Sequence, residues 1–305
     1  MALFVMGVDF GSTTGKAVIL DGDGKVVASS VASKGSVSDE GVQIAISEAL
    51  ERAGIGIQDV ARTVSTGYGR RMLEVADASY TEITCHARGA VAMVPGVRLV
   101  IDIGGQDSKV IAIDDNGLVA QFAMNDRCAA GTGKFLETLA RAVQVPLNDM
   151  GPMAMTAKET LTISSMCATF AETEVISLLA EGHGKPEILG AVHAAIASRT
   201  VGLVARVGSR TPMVMTGGVA QNVAAVHYIE KALGVSLVIP PNPQTAGAYG
   251  AALIALDEVS TARVAEDTHP QREAAMTPVH CTAPRRARVR SEEHLLQRRE
   301  KVPAL

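Results

Sequence analysis

"DFGSTTGKAVILDGDGKV", Asp9 to Val26, and "DIGGQDSKVIAIDDNGLV", Asp102 to Val119, align without a gap at an offset of 93 residues. Asp9 falls on Asp102, Gly11 on Gly104, Lys16 on Lys109, Asp21 on Asp114 and Gly24 on Gly117. Each copy reads as strand, glycine turn, strand, Asp/Asn-Gly hairpin, strand. Two apolar strands can look alike by chance, but shared punctuation at five fixed places is the mark of a duplicated unit.

Outside the two copies the pattern turns helical. Glu40–Ala53 and Gly133–Val143 space Ala, Ile and Leu for one apolar face. Further strands are expected at Thr63–Thr66, Leu99–Asp102, Met213–Thr216 and Ser236–Ile239, and further helices at His86–Val94, Ala168–Ala180, Pro186–Val207, Ala220–Leu233 and Ala246–Asp257. Strands alternating with helices predict an α/β fold of two duplicated lobes, residues 1–95 and 96–259, each a sheet covered by helices, with a cleft between them. From Ser260 the periodicity stops, and residues 260–305 read as an Arg-rich solvated tail, or else as a docking arm for an acidic partner.

The chain is 47% hydrophobic with no Trp and only 3% aromatic residues, so Ala, Val, Ile, Leu and Met must fill the core, which suits helices layered on sheets. Its net charge of −4 provides no broad basic surface for nucleic acid. No uninterrupted apolar run reaches the roughly 20 residues a bilayer span needs, so a cytoplasmic location is expected. Cys85, Cys128, Cys167 and Cys281 are then expected to stay reduced.

A strand that ends in Asp and turns through Gly and small hydroxyls is a phosphate-binding device. Gly11 and, in the second copy, Gly104 and Gly105 let backbone N–H groups approach an anion; Ser12, Thr13 and Thr14 add hydroxyl donors and Lys16 adds charge. Asp9 and Asp102 are placed to hold waters of a hydrated Mg²⁺, which prefers few carboxylates and several waters. Gln106, with Asp107 beside it, is the candidate to position an attacking water, so Gln106, Asp9 and Asp102 form the expected catalytic set. A third element, "VMTGGVAQN" from Val214 to Asn222, again ends a strand in Gly-Gly. Gly217 and Gly218, with Gln221 and Asn222, would receive the nucleoside.

"NDRCAAGTGKFLE", residues 125 to 137, echoes a phosphate loop but has Cys128 where glycine is required and Phe135 where Ser or Thr is required. Cys128 and Cys167 each precede an expected helix, whose positive end favours a thiolate. Both can be read as ordinary buried thiols. Alternatively, a [4Fe–4S] cluster takes four thiolates, and a twofold dimer presenting two per chain would supply them. An intrachain set recruiting Cys85 and Cys281 is disfavoured, because Cys281 lies in the tail and Cys85 is read at a strand end.

The order Asp9–Lys16, Asp102–Lys109, Val214–Asn222 resembles actin, hexokinase and the Hsp70 nucleotide-binding domain, which close two duplicated lobes around Mg-ATP. A closer resemblance rests on "GVDFGSTTGK", "STGYGR", "TEITCHARGA", "DIGGQDSK", "NDRCAAGTGKFLE", "SSMCATFAETEVISLL" and "MTGGVAQN", spanning residues 3 to 257. These motifs are similar to those of the ATPases that activate 2-hydroxyacyl-CoA dehydratases, a group that includes the ATP-hydrolysing subunits of benzoyl-CoA reductase. The resemblance implies an ATP-hydrolysing electron donor with one [4Fe–4S] cluster per dimer, held by Cys128 and Cys167 of both subunits. It further implies a homodimer, with a heterodimer as the alternative, a dehydratase or reductase partner, and a ferredoxin or flavodoxin that loads the cluster. A sugar-type kinase of the same fold is the competing reading. It would need a carboxylate base, for which Glu181 beside His183 is the only candidate, more simply read as a solvated loop.

Overall fold

The computed structural model describes residues 2–33, 40–125, 129–163 and 168–268, the side chains of 264–268 excepted. Its first sheet is built from β1 (Phe4–Phe10), β2 (Thr14–Asp21), β3 (Val26–Ser33), β4 (Val60–Thr66) and β5 (Ala78–Ser79), in the order β3-β2-β1-β4-β5. The second holds β6 (Leu99–Ile103), β7 (Ser108–Ile113), β8 (Val119–Asn125), β9 (Met213–Thr216) and β10 (Leu237–Val238), in the order β10-β9-β6-β7-β8.

The duplication extends to the register of individual residues. In β1–β2 Asp9 pairs with Lys16, and in β6–β7 Asp102 pairs with Lys109. Asp21 Oδ1 accepts from the N–H groups of Asp23 and Lys25, while Asp114 Oδ1 accepts from those of Asn116 and Leu118. These Asx turns place Gly24 at φ 79° and Gly117 at φ 78°, left-handed backbone that glycine adopts without steric cost. Even the register shifts correspond, between Ile19 and Leu20 in one copy and between Ala112 and Ile113 in the other. After each hairpin a helix follows at the same spacing, α1 (Glu40–Ala53) and, past α2 (Glu82–Met93), α3 (Gly133–Val143).

The chain continues through α4 (Leu147–Ala154), α5 (Ala168–Ala180), α6 (Lys185–Val207), α7 (Val223–Leu233) and α8 (Ala246–Thr268). Helices α3 to α7 share one large core with the second sheet, including Phe135, Leu139, Met150, Val192, Ile196 and Met215. By length and composition α6 could cross a membrane, but most of its apolar window is buried in this core. Although α8 follows the second sheet in sequence, its face of Ala248, Ala251, Ala252 and Ala255 packs on Val5, Val18, Leu20 and Val64 of the first.

Among the boundaries that depart from the sequence pattern, three have a visible local cause. The second helix begins at Glu82 rather than His86, because Thr81 caps it by accepting from the N–H of Thr84, so Cys85 lies in its first turn and not at a strand end. The single helix expected over Ala220–Leu233 is split: Gly218–Gln221 is a tight 3-10 turn, and Asn222 starts α7 by accepting from the N–H groups of Ala224 and Ala225. The last helix runs on to Thr268, since no Gly or Pro interrupts residues 251–268 and the Ser260 and Thr261 hydroxyls bond back to carbonyls four residues earlier. By internal packing the chain divides into Met1–Val264 and Ala265–Leu305; residues 269–305, most of the expected tail, lie outside the described residues.

Candidate functional site: a nucleotide cleft

Both Asp–Lys hairpins open onto one cleft of about 450 Å³, within the range of small-molecule sites. Its wall includes Asp9, Gly11, Ser12, Thr13, Thr14 and Lys16 from the first copy and Asp102, Gly104 and Gly105 from the second. Gly217, Gly218, Gln221 and Asn222 join them from the turn after β9, so three segments far apart in sequence meet here. Gln106 is exposed and is not part of this wall, whereas its neighbour Asp107 is buried in it. Glu181 and His183 lie 3.7 Å apart in the turn after α5, outside the wall. Cys128, Cys167 and Cys281 lie outside the described residues, so their expected roles carry over only as proposals.

The two copies have acquired different electrostatics. Lys16 Nζ bonds a single carboxylate, Asp9 Oδ2, at 2.9 Å. Lys109 is more deeply buried and serves two, Asp102 Oδ2 at 3.2 Å and Asp107 Oδ2 in a short contact. Asp102 Oδ1 also accepts from the Thr216 hydroxyl at 2.9 Å and faces Nδ1 of His86 at 3.3 Å. Burial pushes the Asp102 carboxyl up, but the charges of His86 and Lys109 and the Thr216 hydroxyl outweigh it and hold the group at about 2. Burial likewise opposes the Lys109 ammonium, and the two carboxylates reverse that and raise it above the ordinary lysine value.

The turns have been stripped of side chains where phosphate would approach. A Cβ added at Gly105 would collide with the Thr13 hydroxyl across the cleft, so the two phosphate turns nearly touch. At Gly67, φ 86°, a Cβ would collide with Asp9 Oδ1, so this glycine keeps the carboxylate edge uncovered. Two buried carboxylate edges facing phosphate-binding backbone suit a Mg²⁺ that keeps most of its waters, and no cluster of three or more metal-ligating side chains exists among the described residues.

Several wall residues were not assigned from sequence. Tyr68, Glu82 and His86 come from motifs quoted above without a role, and Leu147, Asn148, Gly151 and Pro152 come from α4, a helix of eight residues that carries Gly151 and Pro152 inside it. The cleft is also tied to the start of α3. The Gly104 carbonyl accepts from the N–H of Gly133 at 2.9 Å, and the Gly105 carbonyl accepts from the N–H of Lys134 at 2.8 Å and the Thr132 hydroxyl at 3.0 Å. The start of α3, five residues after Cys128 in sequence, therefore hangs on the second phosphate turn. Cys85 is buried beneath α8, where desolvation pushes its thiol up to about 12.

Comparison with known proteins agrees with this geometry. The chain is 46% identical over 255 residues to the activator of lactoyl-CoA dehydratase of Anaerotignum propionicum, covering 84% of this chain and 98% of that one. It is 44% identical over 256 residues to the (R)-2-hydroxyglutaryl-CoA dehydratase activating ATPase of Acidaminococcus fermentans, with 84% and 98% coverage. The crystal structure of the 2-hydroxyisocaproyl-CoA dehydratase activator from Clostridium difficile, with bound ADPNP, superposes with a TM-score of 0.83 at 39% identity, over 86% of this chain and 98% of that one. The architecture is the actin/hexokinase-like ATPase fold, two mixed sheets about a nucleotide cleft. Residues 6–255 match the BadF/BadG/BcrA/BcrD ATPase family, and the chain belongs to it.

Proposed function

We propose that this protein is an ATP-hydrolysing, one-electron activator of a 2-hydroxyacyl-CoA dehydratase or a benzoyl-CoA reductase. The observation that carries the reading is the pair of Asp–Lys hairpins facing each other across one cleft, in a chain that matches such activators over nearly their full length. One lobe spans residues 1–95 and the other 96–259, with α8 returning to brace the first. Ser12, Thr13, Thr14 and Lys16 bind the β- and γ-phosphates, while Gly217, Gly218, Gln221 and Asn222 receive the nucleoside. Asp9 and Asp102 orient waters of a Mg²⁺ that screens phosphate charge when bound. In the attack, Asp107, buried in the cleft wall, orients water toward the terminal phosphate.

The cysteine arrangement is supported by sequence and by the packing of neighbouring elements. Cys128 and Cys167 precede α3 and α5, and Phe135 and Leu139 of α3 share a core with Ala171 and Val175 of α5. Four thiolates, two from each chain of a homodimer, would hold a [4Fe–4S] cluster, a one-electron carrier. Because α3 is bonded to the Gly104–Gly105 turn, a shift of that turn on nucleotide binding would be passed to the start of α3, which Cys128 precedes in sequence. A ferredoxin or flavodoxin supplies the electron, and the acyl-CoA enzyme receives it. These are cytoplasmic partners.

Anaerobic purification followed by iron analysis and an activation assay tests the reading. About two irons per chain, with ATP-dependent activation of a dehydratase that Cys128→Ser abolishes, is the expected result. An iron-free chain, or full activation by Cys128→Ser, refutes it.

A further inference from the structure

His86 is nine-tenths buried in α2, and its Nδ1 has no hydrogen-bond partner among the described residues. Buried polar atoms without partners are rare and call for an explanation. The acceptor that Nδ1 faces is Asp102 Oδ1 at 3.3 Å, in ion-pair range but off the line a hydrogen bond requires. The ring lines the nucleotide cleft, and its opposite edge lies against Gly247 in the first turn of α8, where a Cβ would stand 2.9 Å from Nε2 and 3.3 Å from both Cδ2 and Cε1. Outside the backbone of its own helix, the three atoms nearest this Cβ position all belong to the imidazole, so the missing side chain at 247 makes room for the ring.

The surrounding helices make this placement mechanical. Backbone packs on backbone between α2 and α8: a Cβ at Gly250 would run into the Cys85 carbonyl, and one at Gly89 into the Ala246 carbonyl. The opposite face of α2, with Ile83, Ala87 and Ala90, packs on Val100, Ile111 and Val214 of the second sheet. His86 thus stands where a helix shared by both sheets meets the carboxylate at the back of the cleft.

We infer that His86 is a positioning residue for Asp102, braced by Gly247, and that it completes its hydrogen bond to Oδ1 when nucleotide engages the cleft. The inference rests on the ATPase reading above. Catalytic hydrogen bonds are commonly long or misaligned before the substrate binds and tighten in the complex. Thr216 and His86 would then fix Oδ1, and Lys109 would fix Oδ2, leaving Asp102 a single orientation toward the metal waters.

The test measures kcat and KM for ATP hydrolysis, ADP binding and Tm on anaerobically purified full-length protein. Wild type comes first: absence of ATP hydrolysis there refutes the ATPase reading itself. His86→Ala is expected to lower kcat by about 10–100-fold, the usual cost of losing the outer partner of a metal-site ligand, with KM changed by less than about threefold. His86→Asn, whose amide nitrogen can take the place of Nδ1, recovers most of that loss. Gly247→Ala displaces the ring and lowers kcat in the same sense, and adds nothing in the His86→Ala background, where the ring is gone. Should His86→Ala fail to fold, the kcat of Gly247→Ala decides alone. An unchanged kcat in folded His86→Ala or in Gly247→Ala overturns the inference, as does a loss that follows Tm and is equal for Ala and Asn.

Discussion

Removing one lysine from each repeat should produce opposite defects, although the two occupy the same place in the duplication. Lys109→Met strands two buried carboxylates, Asp102 and Asp107, with no other cation paired to Asp107. Breaking a buried ion pair by deleting one partner costs about 3–5 kcal/mol, because the surviving charge stays buried. At about 2–4 °C per kcal/mol for a domain of this size, Tm falls by about 6–20 °C. Lys16→Met leaves one buried carboxylate, Asp9, unpaired rather than two, at about 1–3 kcal/mol, and its larger effect is weaker ATP binding. The pH dependence gives a second handle. Asp102, held at about 2, contributes stability that is present above the ordinary carboxylate value and lost only as pH falls through 2. Losing Lys109 removes one of the charges that hold the Asp102 carboxyl down and moves it upward from about 2, so the deficit of the variant narrows as pH falls from 7.5 to 3. Thermal denaturation by circular dichroism at both pH values, with ATP binding by equilibrium dialysis, reads these effects. A Lys109→Met protein within about 1 kcal/mol of wild type, or a deficit equal at both pH values, refutes the reasoning.

Three further predictions follow from local geometry. Asp21→Ala and Asp114→Ala each delete an oxygen that accepts two backbone N–H groups, so each should cost about 1–3 kcal/mol, and urea titration should find the two losses equal within about 1 kcal/mol if the copies are energetically equivalent. Thr132→Val removes the hydroxyl bonded to the Gly105 carbonyl at a stability cost of about 1 kcal/mol; ATP turnover should persist while electrons delivered per ATP fall, and an unchanged ratio in a coupled assay would show that the bond transmits nothing. The Cys85 thiol, pushed up to about 12 by burial, stays neutral in the folded protein while the unfolded thiol ionises near 9, so it stabilises the fold fully below pH 9 and this contribution fades as pH rises toward 12. Iodoacetamide at pH 8 should therefore label Cys85 only as fast as the protein unfolds, and labelling of the native state at the rate of a free thiol would contradict its burial.

Much of this architecture was legible because it is local. A strand, a glycine turn and a second strand announce themselves within eighteen residues, and the repeat at 93 supplied an internal control, so the Met213–Thr216 strand and the Ala168–Ala180 helix fall where the pattern placed them. What escaped depends on contacts that sequence spacing does not encode. Helix α4 contains Gly151 and Pro152, poor helix formers, and is held by the burial of Met150 and Ala154 in the second core. The return of α8 to the first sheet rests on Gly89 and Gly250 letting two backbones touch, and the sequence shows these only as isolated glycines. Within the second turn, Gln106 and Asp107 are adjacent and both polar. Only the fold shows that Asp107 turns inward to Lys109 and Gln106 outward to solvent.

On the proposed function, the divergence between the copies would let one duplicated device both grip a nucleotide and report on it. Ser12, Thr13 and Thr14 of the first copy correspond to Gly105, Gln106 and Asp107 of the second. Three hydroxyls beside a lysine that bonds a single carboxylate make the first turn a donor surface suited to phosphate oxygens. At the matching three positions of the second turn the hydroxyls are gone, and the lysine is committed to two carboxylates. That turn has little donor capacity left beyond its backbone, but its carbonyls at Gly104 and Gly105 are already bonded to Thr132, Gly133 and Lys134. Thr13 and Gly105 leave no room for a Cβ between them, so on the proposed function phosphate held by the first turn would press against the second. The second turn can give way only by carrying the start of α3 with it. Two symmetric donor turns would hold ATP more tightly but leave neither free to serve as the moving part, so on the proposed function the loss of hydroxyls at these positions would let the second turn act as the lever.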